Sequence, residues 1–326
     1  MAEMFDVTIV GGGTTGLYAA FYSGMRGLKT KVMEYQPDVG GKVSFFYPEK
    51  KIYDVGGFPG VTGENLVANV QAQAESVKPK IVTGVKVTSI DALSDGTYVL
   101  KEEGGGEHYS RTILIAAGMG TFEMQPLQVP GAEKYADTCI HYTIQHLVRY
   151  AGKSVAVVSE NRVGVDWALA LENCAEEVHL INAGDKFKAV YEGDVEKLEA
   201  SSIHVHYHQS LERLHGEDKL SHITLRDGEK IKVDHLLVYE GLQIDKSLYE
   251  QWGITTEKGR IPVGTDMCTN REGIYVAGDA AIYPNKTMLI ASGFNEAMAA
   301  VNSAAIYLDP KAKSQVYSTV IYKHTQ

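Results

Sequence analysis

Cysteine is scarce in this sequence: 326 residues contain three, Cys139, Cys174 and Cys268. No two stand in Cys-x-x-Cys spacing, so no local redox dithiol and no zinc-ligand set is encoded. A disulfide framework is not expected in a chain of this size, and all three are read as buried, inert thiols. Positive charge is also in deficit. Lys and Arg number 31 against 41 Asp and Glu, a formal net charge of -10. That balance argues against a nucleic-acid or anionic-membrane partner, because both draw on clustered cations. Long apolar runs are missing too; none approaches the roughly 20 residues of a membrane span. The strand-like FDVTIV follows within a few residues of Met1 and leaves no room for a signal peptide, so a cytoplasmic location is expected. What remains is 44% hydrophobic and 22% charged, an ordinary globular composition sufficient for one large or two medium domains.

The most informative stretch is FDVTIVGGGTTGLYAAFYSGMRGLKTKVMEY. Residues 7–10 read as a short buried strand, and Gly11, Gly13 and Gly16 complete G-x-G-x-x-G. A helical segment and a second strand follow, ending at Glu34. The first glycine permits the tight turn, the second lets a pyrophosphate approach the backbone, and the third lets helix and strand pack closely. The helix N-terminus offers N–H donors and partial positive charge to phosphates. Glu34 is placed to accept hydrogen bonds from an adenosine ribose. Strand, glycines, helix, strand and acid in this order are far more specific than a glycine motif alone. Past Glu34, GGKVSFFYPEKKIYDVGGFPG puts Gly40-Gly41-Lys42 in a turn and then runs without helical period, as suits chain laid along a long ligand. Near the far end, REGIYVAGDAAIY carries a short apolar strand into Gly278-Asp279, with Asp279 at a helix start. An Ala-rich helix, LIASGFNEAMAAVNSAAIYL, follows, its N-terminus able to face an electron-rich ring.

These segments (IVGGGTTG, YPEKKIYDVGGFPG, ILIAAGMG, GIYVAGDA and LIASGFNEAMAAVNSAA) resemble the two-domain flavoproteins of the thioredoxin reductase type. Within that group the sequence is most similar to the bacterial ferredoxin/flavodoxin–NADP(+) reductases, over nearly the whole chain. The resemblance implies an α/β fold of two doubly wound nucleotide-binding domains. A discontinuous FAD domain would comprise residues 1–118 and 240–326, with an inserted NADP-type domain at 119–239. It implies FAD as cofactor and a homodimer. It also implies FAD contacts at Gly11, Gly13, Thr15, Gly16, Glu34, Gly41, Lys42, Tyr47, Asp54, Val87, Ala117, Gly118, Asp279 and Ile290. Tyr47 would stack on one flavin face. In the tail QVYSTVIYKHTQ, Tyr317 would cover the other face, with Ser318 and Thr319 beside it. A thioredoxin reductase itself is disfavoured by the missing Cys pair.

The inserted region holds a second strand–turn–helix, VAVVSENRVGVDWALALEN. Its turn reads Ser159-Glu160-Asn161-Arg162-Val163-Gly164, keeping only the packing glycine, Gly164. By the resemblance, arginines for a 2′-phosphate belong after the next strand, where this chain has Asn182-Ala183-Gly184. Lys186 and Lys188 are expected within a helix over 185–200. Asn161 would put a side chain where pyrophosphate meets backbone, and Glu160 adds repulsive charge. Lys replaces the bidentate Arg fork poorly. HVHYHQ sets His204, His206 and His208 at strand period; a solvated strand face is expected there rather than a metal site, and His141 is read as structural. The functional expectation is an FAD-dependent oxidoreductase passing electrons between flavin and a ferredoxin- or flavodoxin-like carrier, with NADPH or NADH used weakly. The alternatives are an NADPH-independent electron carrier and a non-enzymatic flavin-binding protein.

Overall fold

The computed structural model describes residues 3–124, 126–136, 138–144, 146–239, 242–245 and 247–318. The chain divides into two compact units. One contains the residues up to Phe122 and those from Ile244 onward; the other runs from Glu123 to Gln243.

The first unit is built on β1 (Met4–Val10), α1 (Thr14–Met25) and β2 (Thr30–Met33). β1 pairs in parallel with β2 and with Glu107–Ile115, and β2 pairs in parallel with Lys80–Val82. On the edge away from β1, the strand Glu107–Ile115 serves two further partners in turn. Its first half pairs antiparallel with Tyr98–Glu102, and its last three residues pair in parallel with Ile274–Val276. Val7, Ile9, Val32, Ile113, Leu114 and Ile115 are all at least 99% buried, the pattern of parallel strands covered on both faces. α1 packs beside the long helix Ile290–Leu308 through small residues: Ala19 and Ala20 on one, Ala297, Ala300 and Ala304 on the other, all fully buried. Bulkier side chains at these places would force the helices apart.

In the second unit all five strands of the main sheet are parallel, in the order Ile140–His141, His235–Val238, β3 (Ser154–Val158), β4 (Glu177–Asn182), His204–Tyr207. β3 is buried at every position and leads into α2 (Arg162–Leu171), whose Val165, Ala168 and Leu171 face the core. An antiparallel ribbon, Leu211–His215, His222–Leu225 and Lys230–Lys232, adds a second layer.

Several sequence expectations change here. The helix expected over 185–200 is confined to Glu192–Glu199. Ala189 takes a left-handed φ of 56°, which no α-helix accommodates, and Lys188 instead bridges to Asn161 as extended chain. Gly40-Gly41-Lys42 does not lead straight into irregular chain, because Gly41–Phe46 forms a short helix started by left-handed Gly40. Nor are the histidines of HVHYHQ simply a solvated face. His206 Nε2 lies 3.1 Å from His179 Nδ1, His208 leaves the strand with φ 57°, and Tyr207 is exposed. Of the cysteines only Cys139 is buried, while Cys174 and Cys268 are half-buried. Burial, followed by the Asp266 carboxylate, pushes the Cys268 thiol up to about 11, which disfavours the reactive thiolate.

His141 is structural in a specific way. Its Nε2 lies 3.1 Å from His235 Nδ1, and the Tyr150 ring meets both imidazoles edge-on. Burial, with the neighbouring His235 and Arg149 adding to it, brings His141 down to about 4. Burial lowers His235 as well. A histidine held neutral in the fold but free to protonate on unfolding stabilises the protein above its unfolded pKa of about 6.5. That contribution drains away as pH falls from there toward 4. Thermal unfolding is therefore expected to come earlier on acidification through this window, and His141→Asn should lessen the fall by about 3–5 °C. Parallel melting-temperature profiles for the two proteins between pH 7 and 4.5 would sink this account.

Candidate dinucleotide cleft

β1, Glu107–Ile115 and Ile274–Val276 run parallel, so their C-terminal ends come together. A cleft of about 1110 Å³, mouth included, opens there within the first unit. Crevices at the carboxyl ends of parallel strands are where α/β sheets bind ligands. Gly11, Gly13, Thr15, Glu34, Gly41, Lys42, Val87, Ala117, Gly118, Asp279 and Ile290 all line it.

Its floor is glycine because nothing larger fits. Gly11 takes φ 108°, and a Cβ there would lie 2.5 Å from the Ala116 carbonyl oxygen. Gly16 stands one layer below the lining, where a Cβ would lie 1.9 Å from the Gly11 carbonyl oxygen. Gly13 and Gly41 lie against each other in the lining, where a Cβ on Gly41 (φ 57°) would come 3.1 Å from the Gly13 Cα, and Gly13 bridges to Gly40. No side chain caps the N-terminus of α1 at Gly13, so its first-turn N–H groups are left for a ligand. The helix Ile290–Leu308 likewise starts without a side-chain cap, and Met288, Leu289 and Ile290 form part of the wall.

Two carboxylates belong to the lining. Glu34 is 6% exposed; it accepts the Gly12 N–H at 2.5 Å through Oε2 and the Gln36 N–H at 2.8 Å through Oε1. Burial raises its pKa, and the backbone donors oppose the rise. Asp279, on the single turn Gly278–Ala280, lies 3.4 Å from Lys42 Nζ; both side chains are 38% exposed. Tyr249 donates to the Gly118 carbonyl at 3.0 Å. Burial, aided by the Asp279 charge, raises its phenol pKa, so it remains a donor.

Not every residue named from sequence reaches this cleft. Tyr47 ends the short helix beside Phe46, half-buried, and Asp54 is exposed; neither is in the lining. Tyr317 is 57% exposed and accepts a hydrogen bond from Gln315, Ser318 is exposed, and Thr319 lies outside the described residues. Conversely, Gln36, Leu248 and Trp252 line the cleft without having been singled out. Gln36 could have been found from its spacing, two residues past Glu34. Leu248 and Trp252 follow the inserted unit and carry no motif.

The corresponding turn of the second unit is arranged differently. Asn161 is the N-cap of α2, and its Oδ1 accepts the Val163 N–H at 2.9 Å. Ser159, fully buried, lies with Oγ 3.2 Å from the Asn161 amide nitrogen. The Arg162 N–H donates to the Lys188 carbonyl at 3.2 Å, and the Lys188 N–H donates to the Glu160 carbonyl at 2.7 Å. Lys188 also pairs with the Glu160 carboxylate. Arg162 reaches toward Asp194 at 3.5 Å and lies over the Tyr191 ring. Donors that would meet a pyrophosphate are thus spent on the chain itself. Gly164 is retained for packing, since a Cβ there would lie 2.1 Å from the Ser159 Cβ. Asn182 is buried, its Oδ1 accepting the Gly184 N–H at 2.8 Å.

Fold and cleft together define a two-dinucleotide-binding α/β protein. Comparison with known proteins agrees. Residues 5–304 match the pyridine nucleotide-disulphide oxidoreductase family. Ferredoxin–NADP reductase 1 of Bacillus velezensis is 43% identical over 97% of this chain and 96% of its own length. Ferredoxin–NADP reductase 2 of Bacillus subtilis is 40% identical over 99% and 98%. The crystal structure of T. acidophilum thioredoxin reductase superposes with a TM-score of 0.72 at 23% identity, covering 94% of this chain and 99% of that one. The chain therefore belongs to the pyridine nucleotide-disulphide oxidoreductase family, in the branch of the ferredoxin–NADP reductases. Among the described residues no helix is long and apolar enough to cross a membrane.

Proposed function

We propose that this protein is an FAD-dependent oxidoreductase that exchanges electrons with a small ferredoxin- or flavodoxin-type carrier, with the first unit holding FAD and the second being of the pyridine-nucleotide type. The observation that carries the FAD assignment is the uncapped α1 terminus, opening onto a cradle formed by Gly11, Gly13 and Gly41. A Cβ at Gly118 would point into open space, as a wall residue beside a flat ligand should. In this reading α1 receives the pyrophosphate and Glu34 accepts from a ribose hydroxyl. Asp279 and the start of Ile290–Leu308 hold the far end. Bound FAD would supply the exchange of a hydride equivalent for single electrons. The chain's part is to hold it and shape access to it; Lys42 partly neutralises Asp279, and Leu248 and Trp252 shed water from one wall. The names of the relatives and the full-length likeness support a ferredoxin partner and use of NADPH. The working form is taken to be a cytoplasmic homodimer, by resemblance to that group. Purified protein is expected to be yellow and to release FAD on denaturation. A colourless protein that stays colourless after incubation with FAD would refute the assignment.

A second reading concerns the donor. The self-capped α2 terminus supports weak use of both NADPH and NADH, because Asn161 and the Lys188 main chain already occupy the phosphate-facing groups.

A further inference from the structure

Glu296 sits on the inner side of the helix Ile290–Leu308 and is 1% exposed, yet it does not line the cleft. A buried carboxylate is costly unless it is paired and its lone pairs are taken up. Glu296 meets both conditions. Oε2 accepts the Gly278 N–H at 2.7 Å, and Oε1 accepts the Tyr283 hydroxyl at 2.6 Å. Lys286, whose side chain is only 6% exposed, pairs with the same Oε1. Burial, followed by the Glu296 hydrogen bond and charge, pushes the Tyr283 phenol up to about 12, so it remains a donor. All three donors come from one stretch, 278–286, and one carboxylate ties that stretch to the helix.

What is tied down is the segment that presents Asp279. Gly278 takes a left-handed φ of 77°, and a Cβ there would lie 2.9 Å from Thr15 Oγ1. A Cβ at Gly293, one turn before Glu296, would come closer still to the same hydroxyl, at 2.3 Å. The left-handed glycine, the wedged threonine and the bonded N–H leave the chain little freedom at residue 278. The next side chain is Asp279, beside Lys42 in the lining. An apolar cluster would hold the helix in place without charge, since Ala297, Ala300 and Val301 around it are already fully buried. Buried ion pairs often add little net stability compared with apolar replacements, so this pair is better suited to fixing one loop geometry.

We propose that Glu296 is a positioning residue of the cleft, its buried carboxylate fixing Gly278 so that Asp279 is presented to the ligand. The inference rests on the FAD reading above. Its test is a double-mutant cycle on the purified holoprotein, read by the FAD dissociation constant, the shape of the visible flavin band and the melting temperature. The charge-free pair E296L/K286M removes the acceptor of the Gly278 N–H, which a glutamine would keep, and leaves no unpaired lysine behind. It is expected to melt within a few degrees of the parent while holding FAD at least ten-fold more weakly, with an altered visible band. D279A should weaken FAD comparably, and adding E296L/K286M to D279A should cost less than a further two-fold, because both act through one contact. Parent-like affinity and spectrum in E296L/K286M would overturn the proposal. So would losses that multiply with D279A, or a collapse of the melting temperature that shows the role to be structural only. A parent protein that holds no FAD at all would instead refute the FAD reading itself.

Discussion

NADPH and NADH are both expected to reduce the bound flavin slowly, with little preference between them and with millimolar concentrations needed. The expectation comes from where the donors of the second unit already point. Val163 N–H is taken by Asn161 Oδ1, Arg162 N–H by the Lys188 carbonyl, and Lys188 with Glu160 closes the turn through both main chain and side chains. A pyrophosphate would have to displace these bonds and approach the Glu160 carboxylate. No arginine follows β4 to grip a 2′-phosphate, and each lost charge-assisted contact is worth about 1.5–3 kcal/mol. The structure also indicates which substitutions would open this turn to NADPH. Ser159 and Asn182 are fully buried and bonded, so they should be kept. Ala183 is exposed, and a Cβ at Gly184 would meet nothing closer than 3.4 Å. Glu160→Gly and Asn161→Gly with Ala183→Arg and Gly184→Arg should therefore raise the NADPH reduction rate constant about 100-fold or more, and that of NADH much less. Stopped-flow flavin bleaching under anaerobic conditions measures both. If the unaltered protein is already reduced rapidly by micromolar NADPH, the closed turn is not a barrier.

Gly11→Ala should abolish flavin binding. Gly11 combines a left-handed φ of 108° with a would-be Cβ 2.5 Å from the Ala116 carbonyl oxygen, and both residues are held just past the paired ends Val10 and Ile115, by Gly11 N–H to the Met33 carbonyl and Ala116 N–H to the Val10 carbonyl. The strained conformation alone costs of order 1–3 kcal/mol, and the overlap adds to it. The same residue forms the cleft floor. The expected outcome is a protein that no longer retains FAD through purification, its affinity lowered at least 100-fold, with a lower melting temperature. Gly27→Ala is the control. Gly27 is also left-handed, but a Cβ there would meet nothing within 4 Å, and it lies away from the cleft. Gly27→Ala should lose some stability and keep its flavin. Equal FAD retention by the two variants would show that the first glycine does not shape the site.

Much of the cleft was legible in the sequence because its parts are local. Gly11, Gly13 and Gly16 are required by backbone conformation and close approach within one strand–turn–helix, and Glu34 follows at the end of the next strand. A motif of that kind survives in sequence because no side chain can replace the missing Cβ. The altered turn Ser159–Gly164 was legible for the same reason. Tyr47, Asp54 and Tyr317 were named by resemblance, and none of the three is in the lining of the cleft.

Other features required the tertiary structure. Lys188 was expected in a helix, but left-handed Ala189 and the bridge to Asn161 hold it as extended chain over the α2 terminus. That pairing spans 27 residues, beyond the reach of any local periodicity. Trp252 and Leu248 enter the cleft wall only because the chain returns to the first unit after the second. Glu296 and Lys286 are charged residues that composition would place in solvent. Only the packing of the long helix against the strand end buries them together. The sequence by itself determined where the backbone must be bare and left-handed, because steric exclusion acts between near neighbours. The fold decided which donors are free and which are spent, because that depends on segments far apart in the chain being brought to the same end of a sheet.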